Sequence, residues 1–155
     1  MTDEVVSPSW KLSQLGIVVR DMDQAVRRFS ALGFGPFAPV LLPAGSKVWF
    51  RGEPTDAEVD VKATMIGDVQ LELLQPVSGQ SPHKEFLDSK GEGIHHVMFT
   101  VDDLEYEIDR LTKLGATVLL RVSFGNEGSG GLAYLDLDAF GLVLELIQKQ
   151  DLLQS

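Results

Sequence analysis

The 155-residue chain contains no cysteine. Disulfides, zinc–thiolate centres and a thiol nucleophile are therefore excluded. Positive charge is scarce: 13 Lys and Arg stand against 23 Asp and Glu, a formal net charge of −10. A surface of that sign is unsuited to nucleic acid or anionic membrane, so neither is expected as a partner. No apolar run approaches the ~20 residues of a membrane-spanning helix. The opening MTDEVVSPSW lacks the basic and apolar regions of a secretory signal, so a cytoplasmic protein is expected. Histidine is also rare. Two of the three histidines are adjacent, in GIHHVMFTVDDL at 93–104. What is abundant is hydrophobic sequence, 44% of residues, in a length that suits one domain with a full core.

An internal repeat organises the chain. With Gln14 set against His96, QLGIVVRDMDQAVRRFSALGF lies over HVMFTVDDLEYEIDRLTKLGA without a gap. Val19 then meets Val101, Asp21 meets Asp103, Phe29 meets Leu111 and Gly33 meets Gly115. Both halves also end alike, in VQLELLQ (69–75) and LVLELIQ (142–148). Period-two alternation of Leu15, Ile17 and Val19, and of Val97, Phe99 and Val101, predicts a half-buried strand opening each half. Helical spacing follows in Met22, Ala25, Val26, Phe29 and Leu32, and in Leu104, Ile108, Leu111 and Leu114. Asp21 with Gln24 reads as a cap, and Gly33 and Gly115 as helix stops. Further strands are predicted at 37–42, 47–51, 58–66 and 69–75, then at 117–122, 131–137 and 142–149, punctuated by Gly and Pro. SPHKEFLDSKGEG predicts a short helix starting at Pro82 and ending at Gly91. The fold class is α+β: two tandem β-α-β-β-β modules forming a cupped mixed sheet around a metal site. Module one covers about 11–76, a linker about 77–92 and module two about 93–149, within a single domain.

The repeat singles out four positions. Gln14 and His96 each begin their module's first strand, and Glu72 and Glu145 each sit within its last. By alternation all four point away from the apolar faces that the helices cover, so they can line one concave surface. His95 falls on the other face. A strand glutamate alone is more often solvated, and a histidine alone is more often a hydrogen-bonded strand residue. The four in register, one imidazole, one amide oxygen and two carboxylates, make a divalent-metal donor set. A cation would also remove the penalty of burying two carboxylates together.

With these modules and positions, the sequence resembles the vicinal oxygen chelate superfamily, which includes glyoxalase I, extradiol dioxygenases and antibiotic-resistance proteins. Over residues 11–149 it is most similar to the methylmalonyl-CoA epimerases, through GIVVRDMDQAV, LELLQPVSGQSPHKEFLDSKGEGIHHVMFTVDDL and GLVLELIQ. The resemblance implies metal ligands at Gln14, Glu72, His96 and Glu145, with zinc, cobalt, nickel or manganese as the ion. The epimerases usually carry histidine where this chain has Gln14, and glutamine there resembles the zinc set of glyoxalase I. A ring-cleaving dioxygenase is disfavoured, because its iron requires two histidines and a carboxylate.

The resemblance further implies proton abstraction next to a carbonyl, with Glu145 as the base and a small α-carbonyl compound as substrate. An epimerase needs a second acid/base. The corresponding segment, RGEPTDAEVDV, offers Glu53 and Glu58 without a clear match, and a solvated loop is the plainer reading of both. LDLDAFG, before the last strand, lacks the Pro-Lys pair usual in the epimerases, which counts against coenzyme A recognition. GNEGSGG reads as a hairpin rather than a phosphate loop, since no P-loop lysine follows. The alternatives are a glyoxalase-type isomerase and a non-catalytic small-molecule binder. A homodimer is expected, and the sequence is compatible with a site closed in one chain or shared between two.

Overall fold

The computed structural model describes residues 9–125, 130–138 and 141–149, with Lys149 as backbone only. The tip of GNEGSGG (126–129) and the centre of the LDLDAFG turn (139–140) lie outside the described residues. Among the described residues ten strands form one mixed sheet, with three helices. The elements are β1 (Lys11–Val18), α1 (Met22–Ala31), β2 (Ala38–Pro39), β3 (Lys47–Phe50), β4 (Glu53–Pro54), β5 (Glu58–Ile66), β6 (Val69–Ser78), α2 (Pro82–Lys90), β7 (Gly93–Thr100), α3 (Leu104–Lys113), β8 (Thr117–Ser123), β9 (Gly130–Asp136) and β10 (Val143–Lys149). The sheet order is β2-β5-β6-β1-β7-β10-β9-β8-β3-β4. The architecture is α+β, as the repeat predicts. None of the described helices is long and apolar enough to cross a membrane.

The repeat survives at the level of single hydrogen bonds. β1 runs parallel to β6 with Gln14 opposite Gln70 and Gly16 opposite Glu72. β7 runs parallel to β10 in the same register, with His96 opposite Val143 and Met98 opposite Glu145. Asp21 accepts from Gln24 N at 2.9 Å, and Asp103 from Tyr106 N at 3.0 Å. The glutamines that close the two matching strands complete the caps. Gln75 Oε1 accepts from Met22 N, and Gln148 Oε1 from Leu104 N, both at 2.8 Å. Each helix start thus has two of its free amides satisfied. Gly33 and Gly115 follow the helix ends with φ of +97° and +101°, a conformation that a side chain would strain.

Helices α1 and α3 cover one face of the sheet. Val101, Leu104 and Leu111 pack there on Leu135, Leu144 and Leu146, and Val19 and Met22 pack on Leu73. Alternation sends the intervening residues to the concave face. The predicted helical stripes stop one residue early: Leu32 and Leu114 are 72% and 71% exposed. Both sit at the C-cap, where the backbone has already turned off the helix.

Module one departs from a plain β-α-β-β-β unit. The strand expected at 37–42 is only β2, because Pro39 and Pro43 have no N–H to extend a ladder. The chain then leaves its own module. β3 pairs antiparallel with β8 of module two, Trp49 against Arg121, and forms a small hairpin with β4. The stretch from β2 to β4 therefore supplies both edges of the sheet, and residues 40–46 run from one edge to the other across the mouth of the cup. β6 also extends to Ser78, past the predicted start of the linker.

Candidate metal centre

Four side chains from four central strands meet at the base of the cup. Gln14 (β1), Glu72 (β6), His96 (β7) and Glu145 (β10) are 4%, 7%, 0% and 4% exposed. Three oxygens converge on one ring nitrogen. His96 Nε2 lies 2.9 Å from Gln14 Oε1, 2.9 Å from Glu145 Oε2 and 3.6 Å from Glu72 Oε1. Gln14 Nε2 donates to Glu72 Oε2 at 2.8 Å and to Gln70 Oε1 at 2.6 Å, which leaves the amide oxygen facing the histidine. All four residues singled out by the repeat are therefore together, within one chain.

This arrangement is short of protons. A ring nitrogen carries at most one, and so satisfies one of the three oxygens. Among the described residues, Glu145 Oε2 is buried with no aligned hydrogen-bond donor. Burial, with the charge of Glu145 beside it, pushes the Glu72 carboxyl up to about 7, against the opposing pull of His96 and Gln14. Burial works against a charged His96. The negative charges of Glu145 and Glu72 outweigh it and hold the imidazole above its ordinary value. A divalent cation resolves all of these at once. Donors about 2.1 Å from a tetrahedral ion stand ~3.4 Å apart, and the 2.9–3.6 Å separations seen here are of that size. The residues fit a metal.

Gly16 makes the arrangement possible. It faces His96 across the β1–β7 ladder, and a Cβ at Gly16 would overlap the imidazole. The ring occupies the space that a side chain at this position would need. The matching position in module two is Met98, whose side chain faces the cup instead.

His95 corrects the sequence reading. Alternation places it on the helix-covered face. Instead it is 2% exposed and stands beside His96, with Nδ1 3.0 Å from His96 Nδ1. The β1–β7 register slips between the Gly16–His96 and Ile17–Ile94 pairs, so His95 has no partner across the ladder and the period-two rule lapses there. Its ring packs edge-on against Phe86 of α2, near His83. Burial holds His83 down to about 3 and His95 down to about 2, with the neighbouring His96 contributing in both. Both are neutral imidazoles.

Above the four donors opens a cavity of about 940 Å³. Its second-module wall is mostly apolar, with Met98, Leu120, Val122, Leu132 and Ile147. The first-module wall carries Glu58, Gln70 and Glu72 among Val59, Val61 and Leu74. Glu58 thus reaches the cavity as β5 begins, whereas Glu53 is an exposed residue of the β3–β4 hairpin. No Lys or Arg lines the cavity among the described residues.

Sequence reasoning missed two residues here. His83 Nε2 and Tyr134 Oη are 3.0 Å apart, and both residues line the cavity. Tyr134 lies directly across the β9–β10 ladder from Glu145. The alternation in LAYLD gave Tyr134 the same face as Glu145, a usable signal. Nothing local marked His83, which reaches the cavity only because α2 packs across β1, β6 and β7.

The sequence model of the Glyoxalase/Bleomycin resistance protein/Dioxygenase superfamily matches residues 13–134. An ethylmalonyl-CoA/methylmalonyl-CoA epimerase of Cereibacter sphaeroides is 32% identical over 111 residues, 70% of this chain and 74% of that protein. Human mitochondrial methylmalonyl-CoA epimerase is 28% identical over 152 residues, 94% and 80% of the two chains. Among solved structures, a hypothetical protein of Bacillus halodurans C-125 superposes with a TM-score of 0.69 at 24% identity, covering 95% of this chain and 99% of that one. Streptomyces coelicolor methylmalonyl-CoA epimerase superposes with a TM-score of 0.65 at 22% identity, covering 90% and 96%. The likeness to both structures is one of fold.

Proposed function

Because the chain belongs to the Glyoxalase/Bleomycin resistance protein/Dioxygenase superfamily, we propose that it is a metal-dependent isomerase that removes a proton α to a carbonyl, in the manner of a methylmalonyl-CoA epimerase. The observation that carries this reading is the convergence of Gln14, Glu72 and Glu145 on His96 Nε2 at the base of a deep cavity. Gln14, Glu72, His96 and Glu145 would hold the ion, whose Lewis acidity steadies an enolate oxygen. Glu145 is the base. Its Oε2, 2.9 Å from His96 Nε2, would face the ion, so Glu145 would take the proton on leaving the ion. His95 sets the tautomer. A proton shared between the two Nδ1 atoms and donated by His96 leaves His96 Nε2 bare for a cation. For epimerisation the second acid/base comes from β5, which faces β10 from the opposite side of the sheet. Glu58 lies on that wall, whereas Asp60, opposite Gln75 in the β5–β6 ladder, shares the α1-covered face.

Metal-loaded protein in deuterated water tests this: the α-proton of methylmalonyl-CoA should exchange, and racemisation should accompany exchange. Absence of exchange with every divalent ion loaded would sink the proposal. A glyoxalase-type isomerase is the second reading, favoured by Gln14 as the amide donor and by a cavity wall without a described cation to meet coenzyme A phosphates. Conversion of methylglyoxal with glutathione or another thiol, without exchange of the thioester, would select it. Ligand binding without turnover of either compound would leave a non-catalytic binder.

A further inference from the structure

The proposed reaction assigns no role to the His83–Tyr134 pair, although both residues line the cavity beside Glu145. Tyr134 is 4% exposed and His83 5%. A tyrosine hydroxyl buried this deeply is held by a partner, and here that partner is His83 Nε2 at 3.0 Å. Two hydrogen-bond directions are available. If Tyr134 donated, His83 would carry its proton on Nδ1, which is buried and has no acceptor among the described residues. An orphaned buried N–H is among the rarest defects in a folded protein. If His83 donates from Nε2, the Nδ1 atom holds only a lone pair, and the Tyr134 proton has no partner among the described residues. Among the described residues the free direction for that proton is the cavity. Position then matters. Glu145 and Tyr134 are direct cross-strand partners on the concave face, where such side chains start about 5 Å apart. A hydroxyl there reaches the same substrate atoms as the carboxylate.

We propose that Tyr134 is a substrate-contacting hydrogen-bond donor, its proton turned into the cavity by His83, and that it binds the oxygen on which negative charge develops. His83 is a positioning residue: it acts only through Tyr134. The proposal rests on the proton-abstraction reading of the site and adds a second, metal-independent support for the enolate oxygen.

The test uses full-length, metal-loaded Tyr134→Phe, His83→Gln and His83→Phe, with oxalate as a planar two-oxygen probe of the enolate. Tyr134→Phe should keep its metal and its melting transition. It should lose about 100-fold in kcat for α-proton exchange, the scale of one oxyanion donor, with little change in KM. Oxalate, measured by calorimetry, should bind about tenfold more weakly, the cost of one hydrogen bond. His83→Phe should reproduce both losses, whereas His83→Gln, which keeps an N–H donor, should restore most of them. Unchanged kcat and oxalate affinity in Tyr134→Phe would overturn the proposal. So would loss of metal or of the melting transition, which would make the hydroxyl structural. A His83→Phe variant equal to wild type would remove the positioning role. If wild type exchanges no α-proton, the proposed function fails by itself, and the oxalate comparison still decides whether Tyr134 donates into the cavity.

Discussion

The two modules share a skeleton and divide the labour. Each contributes one donor from its first strand and one glutamate from the parallel strand beside it, in the same register. Each caps its helix with an aspartate and a strand glutamine. They differ where the repeat meets the cavity. Module two presents an apolar wall, and module one an acidic one, together with the segment that crosses the mouth. They differ again at Gly16 and Met98, which occupy matched positions with opposite consequences. Features in register thus build the metal centre, and features out of register shape what it can hold. Substitutions at matched positions break or sharpen that distinction.

The largest difference is expected between the two glutamates. Both are donors in the proposed centre, but only Glu145 is assigned as the base. Glu145→Gln should lower α-proton exchange by about 10²–10⁴-fold, the scale of general-base catalysis. Glu72→Gln should act chiefly through metal affinity, so its exchange should recover as the ion is raised to saturation. Equal, unrecoverable losses in both would erase the assignment. Next is the Gly16–Met98 pair. Gly16→Ala forces a methyl into the His96 ring, so its metal content should fall to background, with about 1–3 kcal/mol of overpacking strain in denaturant unfolding. Met98→Ala opens space on the apolar wall. It should cost about 2 kcal/mol of stability while leaving metal content intact.

A pH titration compares Glu72 with its neutral isostere. In metal-free protein the Glu72 carboxyl is raised from 4.5 to about 7, so the folded state holds its proton across a range where the unfolded chain has released it. A raised folded value gives stability that is present below pH 4.5 and lost as pH rises through about 7. Glutamine resembles the protonated form throughout. With chelator present, Glu72→Gln should therefore gain on wild type by about 3 kcal/mol as pH rises between those limits. With a divalent ion present the order should reverse, because the ionised carboxylate is then paired. A Glu72→Gln advantage that does not change with pH would mean that the carboxylate is not strained by burial.

Much of this was legible in the chain. The ungapped match of 14–34 on 96–116 located both opening strands and both helices and paired Gln14 with His96, and the like endings at 69–75 and 142–148 paired Glu72 with Glu145. Those features are local or repeat at fixed spacing, so hydrophobic period and cap chemistry reveal them. What escaped depends on contacts between distant segments. β3 reads as a strand but does not announce that its partner is β8. His95 follows alternation until a register slip, set by the strand beside it, turns it back toward His96. His83 becomes a cavity residue through the docking of α2, which its own sequence does not encode.

The helix caps set the lower end of the scale, because here the modules are expected to behave alike. Asp21 and Asp103 each satisfy one amide at the first turn, and Gln75 and Gln148 another, at nearly equal distances. Asp21→Ala and Asp103→Ala should each cost about 1 kcal/mol in denaturant unfolding, without changing metal content. Gln75→Ala and Gln148→Ala should match each other in the same way. A clear difference within either pair would mean that the modules are not mechanically equivalent even where their bonds coincide. The place to look would then be the outer packing, where Leu104 and Leu111 anchor α3 as buried residues while α1 buries Met22 alone. A better-anchored helix tolerates the loss of a cap, so the helix with fewer buried residues, α1, would be the one to fray.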